Sequence, residues 1–107
     1  MSLPVILQPE AEEQLVSSAR WWAERRSGEQ AQRWYAAFLD AIETLSDNPE
    51  RCPLAHENPA FPYELRELHF GIGSRPTHRA LFTIRSDAVV VLSVRHAAQQ
   101  DVTPEDF

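Results

Sequence analysis

The chain has 107 residues, a formal net charge of −6, 43% hydrophobic residues and one cysteine. This length suits one domain over residues 1–107, and the ordinary apolar fraction argues against intrinsic disorder. A lone cysteine excludes an internal disulfide framework, and sixteen acidic residues against ten basic ones argue against a general nucleic-acid binder.

Targeting signals and membrane spans are not evident in the sequence. The first residues lack the basic start and long apolar stretch of a signal peptide, and no apolar run approaches the roughly 20 residues that span a bilayer. We therefore expect a cytoplasmic protein with no membrane partner. All ten basic residues are arginine, whose planar, permanently charged group suits phosphate or carboxylate.

The first half of the chain predicts a strand followed by two helices. Val5-Ile6-Leu7 is a β-branched run stopped by a proline, which is typical of a strand. From Glu10 onward, apolar residues recur every three or four positions, which predicts a helix that ends at Gly28. Ser27, with a glutamine three residues later, is typical of the start of a second helix, which ends at Asn48-Pro49. The two helices are expected to form an antiparallel hairpin.

The second half of the chain predicts strands. A proline-rich loop over residues 49–62 comes first. Three strands are then predicted, at residues 63–72, 79–85 and 88–96. Residues 71–76 form the first connection, and Ser86-Asp87 is a two-residue hairpin turn. The predicted architecture is β-α-α-β-β-β, an α+β fold whose antiparallel sheet carries the N-terminal helical hairpin on one face.

Arginines follow the predicted strands. Alternation places Arg79 on the face opposite Phe82, away from the helices, and Arg95 can join it there. Arg66 shares its parity with apolar residues and is expected at the edge of the core. One interpretation is a cluster of arginines on an open sheet face, binding phosphate or a partner's carboxylates. The alternative is that these arginines pair with acidic side chains of the same sheet, namely Glu64, Glu67 and Asp87.

Histidines and one tryptophan are the other candidates. His69, His78 and His96 lie near the arginines, where a histidine could transfer a proton in RNA cleavage; a structural role for each is the alternative. The histidines and Cys52 show no metal-ligand spacing, so we expect neither a metal nor any other cofactor. Trp21 lies off the buried stripe of the first helix, where it either docks a partner helix or packs under the first strand.

Five segments carry a resemblance over almost the whole chain. They are VIL with Ala11 at 5–11, AIETLSDNP at 41–49, LREL at 65–68, HRALFTI at 78–84 and VVVLSVRH at 89–96. In this order they resemble the RelE/ParE superfamily of toxins from bacterial type II toxin–antitoxin systems, also described as plasmid stabilisation proteins. The resemblance implies the same fold and a growth-inhibiting toxin that a cognate antitoxin neutralises.

The resemblance also implies one of two modes of action. RelE-like toxins cut mRNA in the ribosome with basic residues on the sheet and often a C-terminal tyrosine, whereas ParE-like toxins are associated with poisoning DNA gyrase. This chain has no lysine and no tyrosine after Tyr63. These departures favour ParE-like action by protein binding. The alternatives are a ribosome-dependent mRNA endonuclease and a degenerate toxin that retains only antitoxin binding.

Residue roles follow from the residues and the resemblance together. The predicted target- or antitoxin-binding residues are Arg66, Arg79, Arg95 and Trp21. In a nuclease, the predicted catalytic residues are Arg79, His96 and His78. We expect the antitoxin to cross the arginine face with an acidic or mixed-charge segment and to place apolar anchors along the helical hairpin.

Overall fold

The computed structural model describes residues 2–71, 76–97, 99 and 101–107. The helices and strands follow in the order β1 (Val5–Leu7), α1 (Pro9–Arg25), α2 (Gly28–Glu43), β2 (Arg66–Phe70), β3 (His78–Ile84) and β4 (Val89–His96). The predicted order of elements and the α+β class are therefore confirmed. Most of the connection predicted at 71–76 lies outside the described residues.

The four strands form one sheet in the order β1-β4-β3-β2. β3 pairs with β2 and with β4 in antiparallel fashion, as predicted. β1 instead pairs with β4 in parallel, so the sheet is mixed. The predicted turn at Ser86-Asp87 is confirmed by the backbone hydrogen bond from Arg85 to Ala88, at 2.8 Å. No tight turn joins β1 to β4, so local sequence could not determine their relative direction.

The helical hairpin forms where the apolar spacing predicts it. In α1 the buried positions are Ala11 and Leu15, and Trp22 packs partly against the same core. The Ser27 side chain accepts a hydrogen bond from the Gln30 amide at 3.1 Å and so caps α2, which includes the glycine predicted to end α1. Neither helix of the described chain is long and apolar enough to cross a bilayer.

The helices cover one face of the sheet with the larger core. Three buried residues of α2 share a helical stripe: Trp34, Phe38 and Ile42. They pack with the residues of β3 and β4 that point toward the hairpin, including Ala80, Phe82, Val89 and Val91. Residues with helical periodicity thus meet residues with strand periodicity, and burial of their apolar surface stabilises the fold.

The opposite face of the sheet is also covered. A second buried cluster consists of Ala55, Phe61, Leu65, Leu81, Ala88, Val90, Leu92 and Val102. Its members come from the sheet, from the loop before β2 and from the C-terminal segment, residues 101–107. The prediction of an open sheet face is therefore wrong. The physical reason lies in β4, whose apolar residues point to both faces and need a cover on each side.

Candidate functional site: the arginines of the sheet

Arg79 of β3 points away from the helices, as alternation predicts, but it is buried beneath two carboxylates. Its guanidinium donates to both oxygens of Glu57, at 2.7 and 2.6 Å, and to Glu67 at 2.9 Å. Only 5% of Arg79 is exposed. The expectation that Arg79 is displayed to another macromolecule is therefore wrong in this structure, and the alternative of pairing within the sheet holds for Glu67.

The Glu57 carboxylate accepts another hydrogen bond besides those from Arg79. Its Oε2 also accepts the backbone amide of Val102 at 3.0 Å. Burial alone would raise the pKa of Glu57, but the hydrogen bonds from Arg79 and Val102 lower it to about 2. The same hydrogen bonds from Arg79 to Glu57 raise the pKa of the guanidinium above its ordinary value. Both groups are therefore charged at neutral pH and hold the C-terminal segment against the sheet.

Glu57 was not among the residues predicted to form the site. It lies in the loop before β2, 22 residues from Arg79, and no periodicity relates the two. The neighbouring His56 contacts the C-terminal segment through Asp101, at 2.6 Å, and that hydrogen bond raises the pKa of His56. A glutamate in a proline-rich loop carries no sequence signal that it will be buried.

Arg66 lies on β2, the edge strand of the sheet, and is half-buried, in keeping with the expected place at the edge of the core. It donates to the carbonyl oxygens of Cys52, at 2.7 Å, and Glu50, at 3.2 Å, and its Nη2 lies 3.4 Å from Glu64 Oε1, an ion pair within the same sheet region as the alternative predicted. Arg66 therefore fixes the loop before β2 onto the sheet. Arg95 is half-buried and lies directly opposite Arg79 in the β3–β4 register, which confirms that they share a face.

The structure brings two of the three candidate histidines together. His78 and His96 are opposite each other across β3 and β4, with ring centroids 5.2 Å apart. His78 is 7% exposed and packs edge-on against Trp34, and burial and the neighbouring His96 lower its pKa to about 4. It is therefore neutral at pH 7. His69 is exposed, and its Nε2 lies 2.9 Å from Glu67.

Trp21 is exposed on α1, so the interpretation that it packs under the first strand is wrong. The residue is 48% exposed, and its ring is covered in part by the Arg25 guanidinium, which lies 4.5 Å from the ring centroid. The alternative, contact with a partner, stays a prediction.

Cys52 and a cluster of one histidine and two glutamates are further reactive groups among the described residues. The thiol is buried, and burial raises its pKa, which disfavours the reactive thiolate. His56, Glu57 and Glu67 have potential ligand atoms within 4.8 Å of one another. Both carboxylates, however, are already paired with the Arg79 guanidinium. A cation at this point would be repelled by the guanidinium.

A family model for the ParE toxin of the type II toxin–antitoxin system parDE matches residues 5–101. This chain belongs to the ParE toxin family. It is also similar in fold to a solved structure described as the chromosomal ParDE TA system from P. aeruginosa. The TM-score is 0.71 at 14% identity, covering 89% of this chain and 96% of the other. No curated protein matches the chain in sequence.

The family decides the class of protein and its first partner. This ParE toxin is the toxin component of a type II toxin–antitoxin system, and an antitoxin is its partner. The resemblance inferred from five sequence segments is therefore confirmed, and its ParE-like branch is the one that the family model matches. Arg66 and Arg79 hold the loop before β2 on the sheet, so the role of these two arginines in the structure of this ParE toxin is to support the fold.

Proposed function

We propose that this ParE toxin arrests growth by binding and poisoning DNA gyrase, and that it does not cut mRNA. The ParE family match supports gyrase as the target, and the double carboxylate pairing of buried Arg79 is the observation that argues against mRNA cleavage. A nuclease needs a cation aimed at the charge that develops on the phosphate, at about 2.7–3.1 Å from the oxygen. Both terminal nitrogens of Arg79 instead donate to Glu57 or Glu67.

The histidines also support action by protein binding. His78 is buried, and its lowered pKa makes it a weak base at neutral pH. Its Nδ1 lies 2.9 Å from the Thr77 hydroxyl. Of the three predicted catalytic residues, only His96 is exposed. Acid–base catalysis contributes about 10²–10⁴-fold to such a reaction, so a site in which Arg79 is paired with carboxylates and His78 is buried should be very slow.

Among the predicted binding residues, Trp21 is the one with a large exposed surface. Tryptophan is enriched among the residues that dominate binding energy at protein interfaces. We therefore propose Trp21 as a direct contact to gyrase or to the antitoxin. Arg66 and Arg79 support binding indirectly, by holding the loop before β2 and the C-terminal segment in place.

The proposal is tested with purified toxin and bacterial gyrase. We expect micromolar toxin to inhibit supercoiling of relaxed plasmid and to leave cleaved DNA, because a poison traps the enzyme on its substrate. Added antitoxin should restore supercoiling. In parallel, translating ribosomes on a defined mRNA should show no toxin-dependent cuts by primer extension. New cuts would establish the endonuclease instead.

Two controls separate the remaining alternatives. Trp21→Ala should weaken gyrase inhibition or antitoxin binding at least tenfold, whereas Val16→Ala, at another exposed apolar residue of α1, should change neither. Induced expression without antitoxin should slow growth. Unimpaired growth with soluble toxin, together with intact antitoxin binding, would identify a degenerate toxin.

A further inference from the structure

A pocket of about 460 Å³ lies at the end of the helical hairpin where α1 turns into α2. Its lining consists of Trp22, Arg26, Gln30, Arg33, Trp34 and Thr77. None of these residues belongs to the Arg79 network. The volume lies within the range of about 300–1,000 Å³ that is usual for ligand pockets.

Trp34 forms one wall of this pocket and has an unsatisfied donor. The residue is 2% exposed, and its indole Nε1 has no hydrogen-bond partner among the residues that the structure describes. Edge contacts to Phe38, at 5.4 Å, and His78, at 5.0 Å, hold the ring in place. Buried polar groups in proteins nearly always have a partner, and no described residue supplies an acceptor for this N–H.

The charged groups of the pocket are both cationic. In the described part of the chain, neither Arg26 nor Arg33 forms an ion pair, and no acidic residue lines the pocket. Arg26 lies over the Trp22 ring, 5.9 Å from its centroid, whereas the neighbouring Arg25 lies over Trp21 and also 3.8 Å from Glu24. Two uncompensated guanidinium groups beside an indole donor favour an anion with planar oxygen acceptors.

We propose that this pocket binds an acidic side chain of a partner protein, with an adjacent apolar side chain packed on Trp22. The carboxylate would accept from Arg26, Arg33 and the Trp34 indole. An acidic side chain fits better than a nucleic-acid backbone, because a chain with net charge −6 repels an extended polyanion. The proposal concerns the chemistry of this pocket and does not depend on whether gyrase is the toxin's target.

The test uses ¹⁵N-labelled full-length toxin and two blocked dipeptides, acetyl-Leu-Glu-amide and its neutral match acetyl-Leu-Gln-amide. The chain has three tryptophans, so the three indole N–H signals can be assigned by single Trp→Phe substitutions. We expect the Glu dipeptide to shift the Trp34 indole proton downfield in a saturable way. The Gln dipeptide should bind at least fivefold more weakly, because it cannot pair with the guanidinium groups.

Matched variants locate the binding. Arg33→Gln should weaken binding of the Glu dipeptide at least fivefold, and so should Arg26→Gln; both positions are exposed, so both variants should fold. Arg20→Gln, at an exposed arginine of α1 outside the pocket, should leave it unchanged. Higher salt should weaken binding.

Three results would overturn the proposal. They are no Trp34 shift with the Glu dipeptide, equal binding of the Gln dipeptide, or no loss in either pocket variant. A short oligothymidylate is the competing probe. If it shifted the Trp34 signal at lower concentration than the Glu dipeptide, the pocket would be a phosphate site and the acidic-side-chain assignment would be wrong. None of these readouts involves gyrase, so they are independent of the proposed function.

Discussion

Arg79 is stable in the interior because two acidic side chains pair with it. A buried guanidinium carries a large desolvation penalty, which ion pairing with satisfied hydrogen bonds offsets. Glu57 supplies both of its oxygens to this arginine, and Glu67 supplies a third acceptor. Loss of Glu57 would leave Arg79 paired with Glu67 alone, and two of the hydrogen bonds from the buried guanidinium would lose their charged acceptor.

We expect Glu57→Gln to destabilise the toxin by about 1.5–3 kcal/mol, the range for a hydrogen bond to a charged group, because Arg79 keeps its ion pair with Glu67. The substitution removes the charge of the Glu57 acceptor while keeping the size of the side chain. The free energy of unfolding, measured by urea denaturation, checks this. Glu64→Gln is the matched control, since Glu64 lies on the exposed side of Arg66 and should change stability by less than about 1 kcal/mol. Equal effects of the two substitutions would contradict a structural role for the Glu57–Arg79 pair.

At the scale of elements, α1 is joined to the sheet by a polar contact as well as by its apolar stripe. The β3–β4 register shifts at Leu81/Phe82, so β4 contains a bulge. Next to it, the Gln14 side-chain oxygen accepts the Val94 amide at 2.7 Å and the Ser93 hydroxyl at 3.0 Å. Gln14 therefore supplies the acceptor for a buried backbone amide at the irregular point of the strand.

Gln14→Ala should destabilise the fold by about 1–3 kcal/mol, because it leaves the buried Val94 amide without its acceptor. Urea denaturation measures the loss, and amide hydrogen exchange should become faster at Val94. The control is Gln32→Ala, at an exposed position of α2. Unchanged exchange at Val94 in the Gln14 variant would show that the contact does not hold the bulge.

The second cover of the sheet is also an element-scale feature. In residues 101–107, the buried side chain of Val102 belongs to the second core, and the Val102 amide donates a hydrogen bond to Glu57. One segment thus takes part in both apolar burial and the polar network. The loop before β2 does the same through Phe61 and Glu57. The face that would otherwise display arginines is therefore covered by two segments that contact each other.

For the whole molecule, pH should act on stability through His78. Its pKa is about 4 in the folded chain against an ordinary value of 6.5, so between these values the unfolded state binds more protons. Stability therefore rises with pH across this window and falls as pH drops from about 6.5 to about 4. The Glu57 carboxylate affects stability at lower pH. Its stabilisation is present above pH 4.5 and is lost as pH falls through about 2.

We expect His78→Phe to remove this dependence while keeping an aromatic ring against Trp34. Between pH 7 and pH 4, the free energy of unfolding of the variant should fall by about 3 kcal/mol less than that of the wild type, from 1.36 kcal/mol for each pKa unit. Urea denaturation at a series of pH values gives the comparison, with exposed His69→Gln as the control that retains His78. Parallel pH profiles for the wild type and His78→Phe would contradict a neutral, buried His78.

Local sequence was sufficient for the elements and for the family. Val5–Leu7 as a strand, the Ser27 cap, the stripe of Trp34, Phe38 and Ile42, and the Ser86-Asp87 turn each depend on residues within a few positions of one another. Short-range sterics, capping and periodicity determine such features, so they can be predicted from one sequence. The order of five weakly distinctive segments was then enough to indicate the toxin superfamily.

Tertiary structure decided what each arginine faces and which pocket has an unsatisfied donor. The sequence by itself determined the amphipathic helices, the strands and the shared face of Arg79 and Arg95. The parallel pairing of β1, the burial of Glu57 and the cover formed by residues 101–107 appear only in the folded chain. The physical reason is range: periodicity reports the direction of a side chain relative to its own element. Its partner in space, often dozens of residues away, is determined by how the elements pack.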